Sequence, residues 1–141
     1  MEIAVNYFAI VVATVINTVL GFIWYGPLLG KPWMKEMGFT EEHMRRAQEK
    51  GMTQNYILMI IGALLLNYVL AYWILVGEQA FGTLDVQMAM VAAFWAWLGF
   101  IATTMLGQVL WDGKSWKLYA INIGYYLVSL EIAAIIITLW R

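Results

Sequence analysis

The amino-acid sequence predicts an all-α fold, an integral membrane four-helix bundle made of two parallel-repeat helical hairpins. Hydrophobic residues make up 63% of the chain and charged residues 12%, whereas soluble domains are about 45–50% apolar and about 25% charged. Four long apolar runs each approach the roughly 20 residues that a helix needs to cross a bilayer. Two of the connections between these runs have similar sequences. We therefore expect one transmembrane domain over residues 1–141.

The four apolar runs are the predicted membrane spans. They are Ile3–Tyr25, Asn55–Val76, Gln87–Leu110 and Leu118–Trp140. We expect the first run to be kept in the mature protein, because no basic residue precedes it and it exceeds the roughly 7–15 apolar residues of a signal peptide.

Basic residues predict the orientation of the spans. The first and third connections contain seven of the eight Lys and Arg residues, and basic connections stay in the cytoplasm. These seven residues are Lys31, Lys35, Arg45, Arg46, Lys50, Lys114 and Lys117. We expect a multi-pass protein of the cell (cytoplasmic, in bacteria inner) membrane with both termini outside.

The first connection contains the pattern of a short cytoplasmic helix. Thr40 is a predicted N-cap, Gly51 a predicted stop, and residues 41–50 lie between them. Acidic residues precede basic ones at the i,i+4 spacing that stabilises a helix. The expected pairs are Glu41 with Arg45 and Glu42 with Arg46.

An internal repeat is indicated by the two basic connections. In each one, Leu-Gly precedes a Trp, and Gly-Lys-x-Trp follows, over residues 20–33 and 106–116. Both hairpins would enter from outside, so the repeats would be parallel and related by an axis along the membrane normal. Coincidence is the alternative, because Trp and Lys are common at membrane interfaces.

A signature lies at the end of the first span. It consists of Trp24, Tyr25, Gly26 and Pro27, followed by Gly30, Lys31, Pro32, Trp33 and Met34. With Asn6-Tyr7 and Leu20-Gly21, this signature resembles a family of small prokaryotic four-helix membrane proteins known only as a domain of unknown function. The resemblance implies a four-helix inner-membrane protein with no established activity and no assigned catalytic residues.

The polar residues that enzymes use are scarce. The chain has no Cys, one His, and two Ser residues that lie far from it along the sequence, so neither a nucleophilic triad nor a metal site has a recognisable pattern. We expect no catalytic residues, no metal and no cofactor. The net charge of −1 argues against nucleic acid as a partner.

Glu131 is the one acidic residue within a predicted span. It lies about 14 Å from the Trp140 end, at about 1.5 Å per residue, and a carboxylate at that depth costs about 2.5–3.5 kcal/mol on insertion scales. Trp97, Asn67 and Thr14 reach a similar depth in the other spans. We expect Glu131 to hydrogen-bond one of these three, in that order of preference, as an intramembrane polar cluster.

Further polar residues lie nearer the cytoplasmic ends of the spans. They are Asn17, Asn122, Thr103 and Gln108. Each residue by itself is typical of a side chain that hydrogen-bonds across helices. The set as a whole indicates a path through the bundle that is lined by polar side chains. The first hypothesis is passage of a small solute, ion or proton by a homo-oligomer, and the second is a non-catalytic structural or partner-binding role. An intramembrane enzyme ranks third. In each case the partners are membrane lipid and a second copy, and the ligand is unknown.

Overall fold

The computed structural model describes residues 4–140, and Ile3, the expected start of the first span, lies outside them. The described chain is helical and contains no strand. Its elements are α1 (Tyr7–Ile23), a π-helical segment (Trp24–Leu28), α2 (Gly30–Met37), α3 (Glu41–Lys50), α4 (Thr53–Phe81), α5 (Val86–Ala96), a second π-helical segment (Trp97–Ala102), α6 (Thr103–Met105), α7 (Gly107–Leu110) and α8 (Trp116–Leu139).

Four stretches of helix are long and apolar enough to cross a membrane. They are Tyr7–Leu28, Thr53–Phe81, Val86–Leu110 and Trp116–Leu139, which we call the first to fourth spans. The second span is longer than the sequence pattern indicates, because helix α4 continues through Glu78 to Phe81. The acidic connection is correspondingly short.

Helix α8 is at the centre of the bundle and packs against α1, α4 and α5. Its contact surfaces are built from small residues, since Ala89, Ala93, Ala133 and Ala134 are fully buried. Small side chains let helix backbones approach closely, which is how helices associate in lipid. Large apolar side chains lie outside on every span; examples are Val11, Leu65, Phe100 and Leu139.

The N-terminal end of the first span is attached to the C-terminal end of the fourth. The Asn6 side chain accepts hydrogen bonds from the amides of Phe8 and Ala9 at 3.0 and 3.2 Å, which caps α1. Its amide nitrogen donates to the carbonyl of Trp140 at 2.7 Å. The two ends of the described chain therefore lie at the same end of the bundle.

The signature forms a sharp turn at the other end of the first span. The amide of Leu29 donates to the carbonyl of Trp24 at 2.8 Å, an i→i+5 bond. Gly26 has non-helical backbone angles of φ −109° and ψ −107°, and a Cβ on Gly30 would lie 2.7 Å from the carbonyl oxygen of Tyr25. Glycine at position 30 therefore lets α2 fold back against the span.

The indole groups of Trp24 and Trp97 hydrogen-bond the first and third spans to the fourth span. Trp24 Nε1 donates to the carbonyl of Ile121 at 3.0 Å, and Trp97 Nε1 donates to the carbonyl of Ile123 at 2.8 Å. Each Trp is the first residue of a π-helical segment. A buried indole N–H needs an acceptor, and both find one on the backbone of α8.

Candidate ligand cavity beside the signature turn

A chain of hydrogen bonds crosses the interface between α1 and α4. Asn17 Nδ2 donates to Asn67 Oδ1 at 3.2 Å, and Asn67 Nδ2 donates to Thr14 Oγ1 at 3.1 Å. The Thr14 hydroxyl donates in turn to the carbonyl of Ile10 at 2.8 Å. All three side chains are buried, with exposed fractions of 1%, 0% and 4% for Asn17, Asn67 and Thr14.

The order of donors and acceptors in these hydrogen bonds leaves one buried acceptor, Asn17 Oδ1, without a donor among the described residues. Because the Thr14 hydroxyl gives its only hydrogen to Ile10, it must accept from Asn67, and Asn67 must then accept from Asn17. Asn17 Oδ1 is consequently buried with no hydrogen-bond partner within residues 4–140. An unsatisfied buried acceptor costs about 1–3 kcal/mol.

Asn17 lines a cavity of about 640 Å³. The cavity lies between α1, α4 and α8 and reaches the signature turn and the first connection. Its lining consists of aromatic rings, methionines, small residues and two buried polar residues, and it contains no charged side chain. The lining residues are Asn17, Gly21, Phe22, Tyr25, Gly26, Trp33, Met44, Met52, Tyr56, Met59, Gly62, Ala63, Leu66, Tyr125, Tyr126 and Ser129.

Ser129 is the second buried polar residue of the lining. Its side chain is 1% exposed. One helical turn earlier on α8, the Tyr125 hydroxyl donates to the backbone carbonyl of Asn17 at 3.1 Å. That bond holds α8 against α1 where the two polar side chains meet the cavity.

An aromatic wall separates this cavity from a second one of about 490 Å³. Tyr25, Trp33 and Tyr126 line both cavities. The Tyr25 hydroxyl donates to Asn122 Oδ1 at 3.0 Å, and the rings of Tyr25 and Trp33 meet edge to face with centroids 5.6 Å apart. The lining of the second cavity includes charged and polar residues, among them Gln108, Asp112, Lys114 and Asn122.

The expected hydrogen bonds of Glu131 are not formed within residues 4–140. Trp97 donates to the backbone of Ile123 instead, and Asn67 and Thr14 bond to each other. Glu131 Oε2 is buried without a partner in that range, and Glu131 does not line either of the two cavities. The expectation took account of depth in the membrane, whereas partners also depend on how each helix is rotated about its axis.

The remaining predicted positions are divided between the cavities and the surface. Asn17, Tyr25, Gly26 and Trp33 line the first cavity, and Gln108 and Asn122 line the second. Thr103 is exposed and its hydroxyl donates to the carbonyl of Gly99, one turn earlier. Lys31 is exposed, and Pro27 lies inside the kinked turn.

Ser129, Tyr125 and Tyr126 are site residues that the sequence analysis did not select. A signal for them exists, since Ser129 is a polar residue in an apolar span and follows Tyr125 by one helical turn. Such pairs are common in helices, so their position beside Asn17 becomes visible only once the helices are packed.

The chemistry that this arrangement offers is binding. The cavity presents a free amide oxygen, a hydroxyl and aromatic faces, but no base lies beside the Ser129 hydroxyl in the lining. His43, the one His of the chain, contacts Thr40 in the first connection. No group of three or more His, Cys, Asp or Glu side chains in the described range is placed to hold a metal ion.

Comparison with known proteins adds one finding. The chain matches the model of a family described as "Protein of unknown function (DUF1761)" over residues 8–138, which is nearly its whole length. No curated protein and no solved structure matches it. The matched region contains the signature turn, both cavities and nearly all of the four spans, and the chain belongs to the DUF1761 family.

Proposed function

We propose that this protein is a non-enzymatic membrane protein that binds a small solute in the cavity beside the signature turn, as a step in the passage of that solute. The observation that carries the proposal is Asn17 Oδ1, a buried acceptor without a partner in the described chain that belongs to a residue of the cavity lining. A bound donor would satisfy it.

The size and lining of the cavity support this proposal. Small-molecule sites have volumes of about 300–1,000 Å³ and are lined by hydrophobic and aromatic side chains with a few polar groups. A volume of about 640 Å³ lies within that range. The signature turn contributes Tyr25 and Gly26 to the lining, which gives the signature a role in the site.

The proposal includes insertion into the cytoplasmic membrane, with both basic connections inside and both termini outside. The four apolar spans and the distribution of Lys and Arg support it. It also includes two parallel repeats, which the similar sequences of the two basic connections support. It further includes a homo-oligomer, because four helices enclose little space for a complete path. Gly99 and Thr103 are exposed on the third span and are small enough for a close contact between subunits.

Passage of a proton or cation would involve Glu131, the acidic residue within the fourth span. Glu131→Gln keeps the shape and the hydrogen-bonding capacity of the side chain while removing its charge. If ions pass, ion flux into vesicles should fall in this variant while folding is unchanged.

A structural role is the second candidate function. Its supporting observation is the chain from Asn17 through Asn67 to Thr14, in which polar side chains bond one another across α1 and α4. Polar residues in spans often serve only to hold helices together. In that case the cavity would bind no solute.

Binding of para-fluorophenol to the protein in detergent distinguishes these candidates. Ala63, a lining residue on α4, is changed to Phe to fill the cavity, and exposed Ala120 on α8 is changed to Phe as a matched control. Fluorine NMR, referenced to empty micelles, should show binding to the wild type and to Ala120→Phe, and weakened binding to Ala63→Phe. Equal binding to all three proteins would contradict a site in this cavity.

A further inference from the structure

We infer that the ligand is a neutral molecule with an apolar, ring-sized body and a hydroxyl or N–H group, and that this group donates a hydrogen bond to Asn17 Oδ1. This inference rests on the proposed function and names the ligand class of the same cavity. Phenols and aromatic or alicyclic alcohols are the simplest members of the class.

The neutrality of the ligand follows from the lining. Of the lining residues, none is Asp, Glu, Lys, Arg or His. An ion that entered would lose its hydration without gaining a counter-charge, and an isolated buried charge is strongly unfavourable. A neutral ligand avoids that cost and also enters readily from the apolar core of a bilayer.

The need for a donor follows from the direction of the buried hydrogen-bond chain. Thr14 donates to Ile10, so Asn67 donates to Thr14 and Asn17 donates to Asn67. One hydrogen of the Asn17 amide nitrogen is thereby used, and the atom of this side chain without a partner in the described chain is the oxygen. An oxygen accepts, so a ligand that lacks an O–H or N–H leaves it unsatisfied.

The apolar, ring-sized body follows from the rest of the lining. Tyr25, Trp33 and Tyr125 provide flat faces and edges, against which a ring packs in edge-to-face or offset geometry. Met44, Met52 and Met59 provide flexible thioethers, which adapt to irregular shapes. The aromatic groups come from the spans and the turn, and the methionines from the first connection and the second span.

Four probes of similar size test the inference. Para-fluorophenol is neutral with a donor, para-fluoroanisole is neutral without one, para-fluorobenzoate is an anion and para-fluorobenzylammonium is a cation. Each is titrated into the full-length protein in detergent, and its affinity is measured by fluorine NMR against protein-free micelles. We expect para-fluorophenol to bind about tenfold more tightly than para-fluoroanisole, since one buried acceptor is satisfied, and the two ions to bind least.

Asn17→Leu should remove the preference for para-fluorophenol over para-fluoroanisole. Thr104→Val, which removes an exposed hydroxyl outside the lining, should keep it. If Asn17→Leu does not fold, the comparison of probes on the wild type still decides.

Equal binding of para-fluorophenol and para-fluoroanisole, still blocked by Ala63→Phe, would overturn the ligand class and leave the proposed function standing. Tightest binding of an ion would overturn the neutrality. Failure of all four probes to bind would overturn the proposed function itself.

Discussion

Among individual residues, Glu131 has unfavourable surroundings, because its Oε2 is buried in the fourth span without a partner within residues 4–140. We expect Glu131→Leu to raise the free energy of unfolding by about 1–3 kcal/mol, the cost of an unsatisfied buried polar atom. Unfolding of the purified protein in mixed micelles measures this change. A loss of stability would instead mean that the carboxyl has a partner outside the described chain, such as a second subunit.

Asn67 is a residue whose burial and hydrogen bonding can be predicted from the sequence. Its depth in the second span and its polarity predict a buried, hydrogen-bonded side chain, and the structure places it at 0% exposure between Thr14 and Asn17. The expected link from Trp97 to Glu131 is wrong within the described chain, since that indole donates to a backbone carbonyl. Depth follows from counting residues, whereas partners require the rotation and tilt of packed helices.

At the scale of elements, the signature turn depends on Gly30. A Cβ there would lie 2.7 Å from the Tyr25 carbonyl oxygen, whereas a Cβ on Gly26 has open space around it. We expect Gly30→Ala to destabilise the protein by about 1–3 kcal/mol, as overpacking does, and to separate Trp33 from Tyr25. Tryptophan fluorescence and thermal unfolding measure both effects. The control is Gly62→Ala, because a Cβ at Gly62 within helix α4 also has open space around it, and an equal loss of stability in the two variants would contradict the close-approach explanation.

Helix α3 has the bounds and the Thr40 cap that its sequence pattern indicates. Of its two expected ion pairs, Glu42 with Arg46 forms, whereas Arg45 pairs with Glu42 and Glu49 instead of Glu41. The i,i+3 and i,i+4 spacings both bring side chains together on a helix. Rotamers decide between them, so the sequence does not fix which pair forms.

These ion pairs make α3 sensitive to acid. Hydrogen bonds from Arg45 and then Arg46 hold the pKa of the Glu42 carboxyl below its ordinary value of 4.5. A carboxyl whose pKa is lower in the folded helix stabilises it above pH 4.5, and that contribution is lost as the pH falls through the lowered pKa. We expect amide hydrogen exchange in α3, corrected for intrinsic rates, to accelerate below pH 4.5. In Glu42→Gln this additional acceleration should be absent; its persistence would assign the acid sensitivity to another group.

For the whole molecule, hydrophobic runs and turn residues were sufficient to predict four long helices, because a span is defined by its own composition. The cavity was not predictable in the same way. It is formed by α1, α4 and α8 together with the first connection, and residues as distant in sequence as Asn17 and Ser129 line it. Their proximity results from the packing of small residues such as Ala133 and Ala134 at the centre of the bundle.

The orientation in the membrane is also a property of the whole molecule. Single cysteines at Thr40, in the first connection, and at Gly82, after the second span, should react with an impermeant maleimide from opposite sides, since the chain has no native Cys. In intact cells position 82 should label and position 40 should label only after permeabilisation. External labelling of position 40 would reverse the proposed orientation.

The cavity beside the signature turn is proposed to be a solute site with Asn17 as its acceptor. A crystal structure of the protein with para-bromophenol tests it most directly, because anomalous scattering locates the bromine. We expect the ring between α1, α4 and α8, with its hydroxyl at the roughly 2.5–3.0 Å of an O–H···O hydrogen bond from Asn17 Oδ1. Bromine found only on the outer surface of the spans, with this cavity empty, would contradict this proposal.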